Sequence, residues 1–291
     1  MKKTLLKWIL IGLALRLILM PLTVHPDLRA IDLGAYLVSQ KGEWLTFYDH
    51  LSRLEPGNFL VEIYGFDLFI YPPLAYLVPG VFMFLLGPFY DFSFNNLFLL
   101  DMEAAAQALT FFKTLFLLKL PYLLFDFLLA FLLYKIFAKR GEAAFKLWMI
   151  NPLTLYATFA MGQVDIFPTL MIVAALFFAQ RDKRELSVLM LGIGGAFKLF
   201  PLLLLPIFVL VLYKQAWQRL KLLVIGLAPY VVVVAPYFLF SPMYRQTALL
   251  ASQTDKMLYL KLPLSGAEYL SIFAMGYFFL LFLARKLVGQ K

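Results

Sequence analysis

The chain has 291 residues, of which 63% are hydrophobic, 18% aromatic and 15% charged, and its mean hydropathy is +0.84. A water-soluble domain carries about 25% charged and about 45–50% apolar residues, and a chain this short cannot hide such an excess inside one or two cores. The composition excludes a soluble protein. At about 20 apolar residues per span, it predicts an all-α, polytopic integral membrane bundle of about eight to ten transmembrane helices. Residues 1–291 then form a single transmembrane domain, with no room for a separate soluble catalytic domain.

The remaining totals exclude further chemistry. Zero cysteines remove disulfides, thiolate metal sites and cysteine nucleophiles. Two histidines, His25 and His50, cannot build a histidine-rich metal centre. The formal charge of +9 comes from short basic clusters between apolar runs, which is the pattern of the positive-inside rule and not of a nucleic-acid surface.

In chain order, Met1-Lys2-Lys3 precedes an apolar stretch to about Val24. No small-x-small cleavage site follows it, so it reads as a retained first span that starts in the cytoplasm. Residues 25–70 hold Asp27, Asp32, Glu43, Asp49, Glu55, Glu62 and Asp67, seven of the 17 acidic residues. Set against only Arg29, Lys41 and Arg53, this large first loop belongs outside. Between residues 70 and 138 two apolar runs appear, about 71–90 and 113–137, where a change of side needs an odd number of crossings. Asp101, Glu103 and Gln107 favour an interfacial helix in the middle piece, because charges are costly at the bilayer centre.

Basic clusters then recur at Lys135/Lys139/Arg140/Lys146, Arg181/Lys183/Arg184, Lys214/Arg219/Lys221 and Arg285/Lys286/Lys291, all expected in the cytoplasm. They bracket a hairpin over 147–180 that turns near Gly162-Gln163 and a second over 186–213 broken at Pro201. A final pair, 222–240 and 266–286, is joined by a second external loop, 241–262. Gly192, Gly194 and Gly195 follow no strand and read as close helix packing, not as a dinucleotide fingerprint.

This topology gathers polar residues from separate segments at the external face: His25, Asp27, Asp32, Tyr36, Tyr71, Gln163, Asp165, Lys198, Arg245, Lys256 and Lys261. Some have plain structural readings, as solvated loop carboxylates for Asp27 and Asp32 and as a helix start for Tyr71-Pro72-Pro73. Lys198 and Asp165 stand among apolar neighbours, where an ionisable residue marks a functional candidate. Arg16 and Asp126 lie deep in expected spans and can pair with other buried groups. A carboxylate on this face can act as general base toward a sugar hydroxyl, and nearby cations can hold a phosphate leaving group. No phosphate loop, serine triad or metal-ligand run appears.

Several motifs keep the order of a known group: an Asp after the first span, Tyr71-Pro72-Pro73-Leu74, Lys119 to Asp126 within Leu-Lys-Leu-Pro-Tyr-Leu-Leu-Phe-Asp, Leu147 to Pro152, Gly162-Gln163-Val164-Asp165, and Phe197-Lys198-Leu199-Phe200-Pro201. Together they resemble the multi-spanning glycosyltransferases of the GT-C superfamily over residues 1 to about 210. The likeness is to the catalytic subunit of glycosylphosphatidylinositol mannosyltransferase I and to bacterial polyprenyl-phosphate-mannose-dependent mannosyltransferases. The resemblance implies inverting transfer of a hexose, mannose first, from a polyprenyl-phosphate sugar to a glycan or glycolipid acceptor at the external face of the cell membrane. It implies no further cofactor. It assigns Asp27, then Asp32, as the catalytic acid and Lys198 as a donor-phosphate contact; beyond its reach, the topology adds Arg245 and Lys256 of the second external loop as further phosphate-binding candidates. His25, Tyr36, Tyr71, Gln163 and Asp165 are the substrate-binding candidates. The superfamily's Asp-x-Asp stands here as His25-Pro26-Asp27, so no metal site is expected.

Two rival classes remain. A transporter or flippase usually shows inverted repeats with ionisable residues near the midplane, whereas here the polar groups gather at one face. A noncatalytic membrane subunit of a larger complex fits the short chain, and an accessory membrane partner is compatible with the enzyme reading as well.

Overall fold

A computed structural model describes residues 3–249, 258–266 and 268–289. The first helix, α1 (Lys3–Leu19), ends one turn before Val24, and α2 (Pro26–Gln40) follows within the acid-rich segment. Short turns and α3 (Phe59–Tyr64) lead to α4 (Leu74–Leu85). The small helices α5 (Asn95–Leu100) and α6 (Met102–Ala106) precede α7 (Leu109–Ile136). Next come α8 (Gly141–Met149), α9 (Pro152–Thr154) and a π-helical turn, Leu155–Ala160. The apolar second half holds α10 (Ile166–Ala179), α11 (Arg184–Gly195), α12 (Phe200–Leu212) and α13 (Ala216–Phe240). After α14 (Pro242–Tyr244) and a π-helical turn over Arg245–Leu249, α15 (Ile272–Gly289) ends the described chain.

The fold is mostly helical. An antiparallel hairpin, β1 (Lys261–Pro263) with β2 (Tyr269–Ser271), is the small departure from an all-α chain. Among the described residues, two helices, α7 and α13, are long and apolar enough to cross a bilayer. The apolar runs at α4, α10 and α12 fold as helices of 12, 14 and 13 residues. At about 1.5 Å per residue these reach roughly 18–21 Å, short of the roughly 30 Å hydrocarbon core. Prolines within α4 (Pro79) and α12 (Pro206) remove backbone donors along those runs.

The acid-rich segment contains a packed helix, because α2 buries Leu28, Ile31, Leu33, Leu37 and Val38 and packs on α4. The middle piece between the runs at 71–90 and 113–137, where Asp101, Glu103 and Gln107 favour an interfacial helix, forms short helices and no single long one. It breaks into helices of 6 and 5 residues, and Asp101 caps α6 by accepting the Ala104 N–H at 2.9 Å.

One large core joins α2, α4, α7 and the start of α10, and a second lies among α10 to α13. Glycines set the second: a Cβ at Gly192 would strike the backbone of Gly226 in α13, and one at Gly226 would strike Leu205 of α12. The segment from Trp44 to Phe69 also docks on the segment from Tyr237 to Thr247. Tyr237 O–H donates to the Trp44 carbonyl at 2.6 Å, Asp49 Oδ1 accepts the Met243 N–H at 3.0 Å, and Thr247 donates to the Phe69 carbonyl at 3.1 Å. Around these bonds Phe47, Tyr48, Phe69, Tyr76, Tyr237 and Tyr244 form a continuous ring cluster. Two basic clusters meet at another end of the fold, where Lys221 bonds Glu185 at 2.5 Å and Arg184 lies 4.4 Å from the Tyr213 ring centre.

Candidate functional site

His25 caps α2 with Nδ1, which accepts the Asp27 N–H at 3.2 Å, and Pro26 fills the first helical position. Asp27 therefore sits in the first turn, where the helix dipole favours a carboxylate. Its Oδ2 accepts the Tyr71 O–H at 2.6 Å, and its Oδ1 lies 3.4 Å from His25 Nδ1. Burial and the neighbouring Asp27 push the Tyr71 phenol well above its ordinary value, so Tyr71 is a donor to the carboxylate and not a rival base.

Tyr71-Pro72-Pro73 starts α4, and the Leu74 N–H donates to the Ala196 carbonyl at 3.0 Å. That bond ties the start of α4 to the turn between α11 and α12, which carries Lys198. The Lys198 ammonium stands 4.8 Å over the Tyr71 ring and 2.7 Å from Asp165 Oδ1. Asp27, Tyr71, Lys198 and Asp165 thus form one connected cluster from four separate segments. The side chains of Asp27, Lys198 and Asp165 are 23%, 22% and 37% exposed, so a substrate can reach them.

Beside the cluster opens a cavity of about 250 Å³ whose walls include Asp27, Tyr71, Ile63, Tyr64 and Asp67. Tyr64 is held by the Arg29 guanidinium at 3.0 Å and donates to the Leu99 carbonyl. Asp67 and Tyr64 were not distinguishable in the sequence from other loop residues; only the return of the chain past Asp27 brings them to this wall. Two interior residues of α7, Lys119 and Tyr122, also reach the turns that carry the site. The signal for Lys119 was a lone charge within an apolar run.

The other candidates make different contacts. Tyr36 packs on Phe92 with ring centres 5.8 Å apart and lies under Lys41. Gln163 stands in the Gly162–Asp165 turn, its N–H bonded to the Ala157 carbonyl at 3.0 Å. Arg245 donates to the Phe238 and Leu239 carbonyls at 2.6 and 3.4 Å, which caps the end of α13. Lys256 is outside the described residues. Lys261 lies over the Tyr269 ring at 3.9 Å. Among the described residues no three His, Asp or Glu side chains converge as a metal-ligand group.

Asp32 is completely buried, and among the described residues neither carboxylate oxygen has a hydrogen-bond partner. Burial pushes its carboxyl from 3.8 up to about 7. Below pH 3.8 the group is neutral in folded and unfolded chains alike. As pH rises from there to about 7, the unfolded chain ionises first, so stability falls through this window by up to about 4 kcal/mol and then levels. Asp32→Asn is expected to remove that slope and to unfold at a higher temperature than the wild type at pH 8. Thermal unfolding in detergent from pH 4 to 8 checks it, and equal slopes for the two proteins would contradict it.

No curated protein and no solved structure matches the chain. The sequence profile described as glycosyltransferase family 87 matches residues 69–285, roughly three quarters of the chain. The matched region starts after Asp27 and takes in Tyr71, Lys119, Asp165 and Lys198. The chain belongs to glycosyltransferase family 87 and is a membrane glycosyltransferase.

Proposed function

We propose that this glycosyltransferase moves a hexose, mannose in the first instance, from a polyprenyl-phosphate donor to a lipid-linked or glycan acceptor at the external face of the cell membrane. The carrying observation is that Asp27 and Lys198 meet the two sides of one residue, Tyr71, beside a reachable cavity. Asp27 takes the proton of the acceptor hydroxyl as its oxygen attacks the anomeric carbon. The bond from that carbon to the phosphate oxygen breaks, and its electron pair leaves with the phosphate. Attack opposite the leaving group inverts the anomeric centre. Lys198 stabilises the charge growing on the phosphate; an ammonium has three donors, so its bond to Asp165 leaves two for that task. Tyr71 fixes the carboxylate. The cavity lies just under the roughly 300–1,000 Å³ of drug-sized pockets, a size suited to a single sugar ring. The external placement draws on the acid-rich composition of residues 25–70 and on the docking of that segment against Ser241 to Leu249.

Purified single chain in liposomes, supplied with labelled polyprenyl-phosphate mannose and a lipid extract as acceptor source, is expected to yield a mannosylated product of inverted anomeric configuration together with free polyprenyl phosphate. Flux of donor across the membrane with no covalent product would instead indicate a transporter. Transfer seen only after adding a second membrane protein would assign the catalytic step to a complex. Tyr71→Phe is expected to retain the fold and to lower turnover about 10- to 100-fold, since a hydrogen bond to a charged group contributes about 1.5–3 kcal/mol. Unchanged turnover in the same assay would remove Tyr71 from the mechanism.

A further inference from the structure

Lys119 and Tyr122 lie one turn apart on α7 and so share a face, and both are completely buried. The Lys119 ammonium donates to the Thr23 carbonyl at 2.5 Å and to the Ala160 carbonyl at 2.6 Å. The Tyr122 O–H donates to the Gly162 carbonyl at 3.1 Å. Thr23 stands four residues before Asp27, and Ala160 and Gly162 open the turn that carries Asp165. Two further bonds sew these segments together directly: Thr23 Oγ1 donates to the Ala160 carbonyl at 2.7 Å, and the His25 N–H donates to the Met161 carbonyl at 3.0 Å.

The local chemistry favours a built device over incidental packing. A buried ammonium is expensive unless it is fully bonded, and an apolar residue at position 119 would meet the needs of α7 alone. Ala160 ends a π-helical turn; such turns cluster at functional sites, and the negative end of a helix dipole attracts a cation. Gly162 completes the fit. Its φ is +82°, and a Cβ there would come within 2.9 Å of Lys119 Cε and 3.3 Å of Leu28, so the turn is shaped around the lysine chain.

We infer that Lys119 and Tyr122 are positioning residues through which α7 sets the separation of the Asp27 turn from the turn that carries Asp165, the partner of Lys198. Neither touches the cavity, so they act on the reaction only through those backbones. The effect on catalysis rests on the transferase reading of Asp27 and Lys198; the clasp itself can be read without turnover.

The test uses full-length Lys119→Met and Tyr122→Phe in nanodiscs, with amide hydrogen exchange and steady-state transfer measured on each. Lys119→Met is expected to speed exchange in both segments, 20–27 and 158–166, and Tyr122→Phe in 158–166 alone, with exchange elsewhere unchanged. Turnover is expected to fall about 10- to 100-fold for Lys119→Met, as for a small misplacement of reacting groups, with the donor KM little changed. Where Lys119→Met fails to fold, the near-isosteric Tyr122→Phe decides: faster exchange confined to 158–166 with lower kcat supports the clasp. Unchanged exchange overturns it. So does faster exchange spread over the whole chain, or local loosening with kcat at the wild-type value. If the wild type itself transfers no sugar, the failure lies with the transferase reading, and local against absent loosening still decides the clasp.

Discussion

Asp27→Asn is expected to abolish sugar transfer, lowering turnover about 10²- to 10⁴-fold, the usual contribution of a positioned general base. The substitution isolates proton transfer. Asparagine keeps the shape, and its side-chain oxygen can still accept the Tyr71 O–H now held at 2.6 Å, but it cannot take the acceptor proton. The site is partly exposed, and losing a charge from the first turn of a helix costs only about 0.3–1 kcal/mol. Thermal stability of the variant should therefore stay close to that of the wild type, and polyprenyl phosphate should still bind through Lys198. Single-turnover transfer with a labelled donor, paired with a melting curve, separates these effects. Full activity in a folded Asp27→Asn protein would remove Asp27 as the base.

The largest expected loss of stability lies elsewhere. Arg16 and Asp126 are completely buried and bonded at 2.7 Å, joining α1 to α7. Arg16 also donates to the Gly12 and Met149 carbonyls at 2.9 and 2.8 Å, and the Trp148 indole donates to Asp126 at 2.8 Å. The guanidinium lies 5.0 Å from the Phe159 ring centre. Removing one partner of such a pair leaves an uncompensated buried charge and costs about 3–5 kcal/mol, whereas replacing both with apolar residues is often neutral or stabilising. Asp126→Leu alone is expected to be destabilised on that scale, and Arg16→Met with Asp126→Leu to recover most of the loss. Melting temperatures in detergent for the two singles and the double check it. A double variant as weak as the sum of the singles would show that the pair is not the source.

More of this candidate site was legible in the sequence than of the helices that hold it. Asp27, Tyr71, Asp165 and Lys198 were all singled out from composition and motif order, because a polar group within an apolar chain is rare enough to stand out. Their connection through Tyr71 was not legible, since it depends on the backbone bond between Leu74 and Ala196. Asp32 shows the limit of position alone. Only five residues from Asp27, it turns into the core because α2 is a helix and not an open loop. Asp67 had no local signal at all. Lys119 carried the right signal, a charge in an apolar run, but its partners are backbone carbonyls, which no side-chain pattern announces. For the helices, apolar runs marked where each would form, and the run at 201–213 was already short for a full span, whereas the runs at α4 and α10 did not show that their helices hold only 12 and 14 residues.

A structure with polyprenyl monophosphate bound tests the central claim most directly. The account predicts a phosphate within hydrogen-bond reach of the Lys198 ammonium, with the Asp27 carboxylate across a gap of one sugar ring from the phosphate oxygen that carries the sugar in the donor. A phosphate bound at another face, out of reach of Lys198, would contradict it.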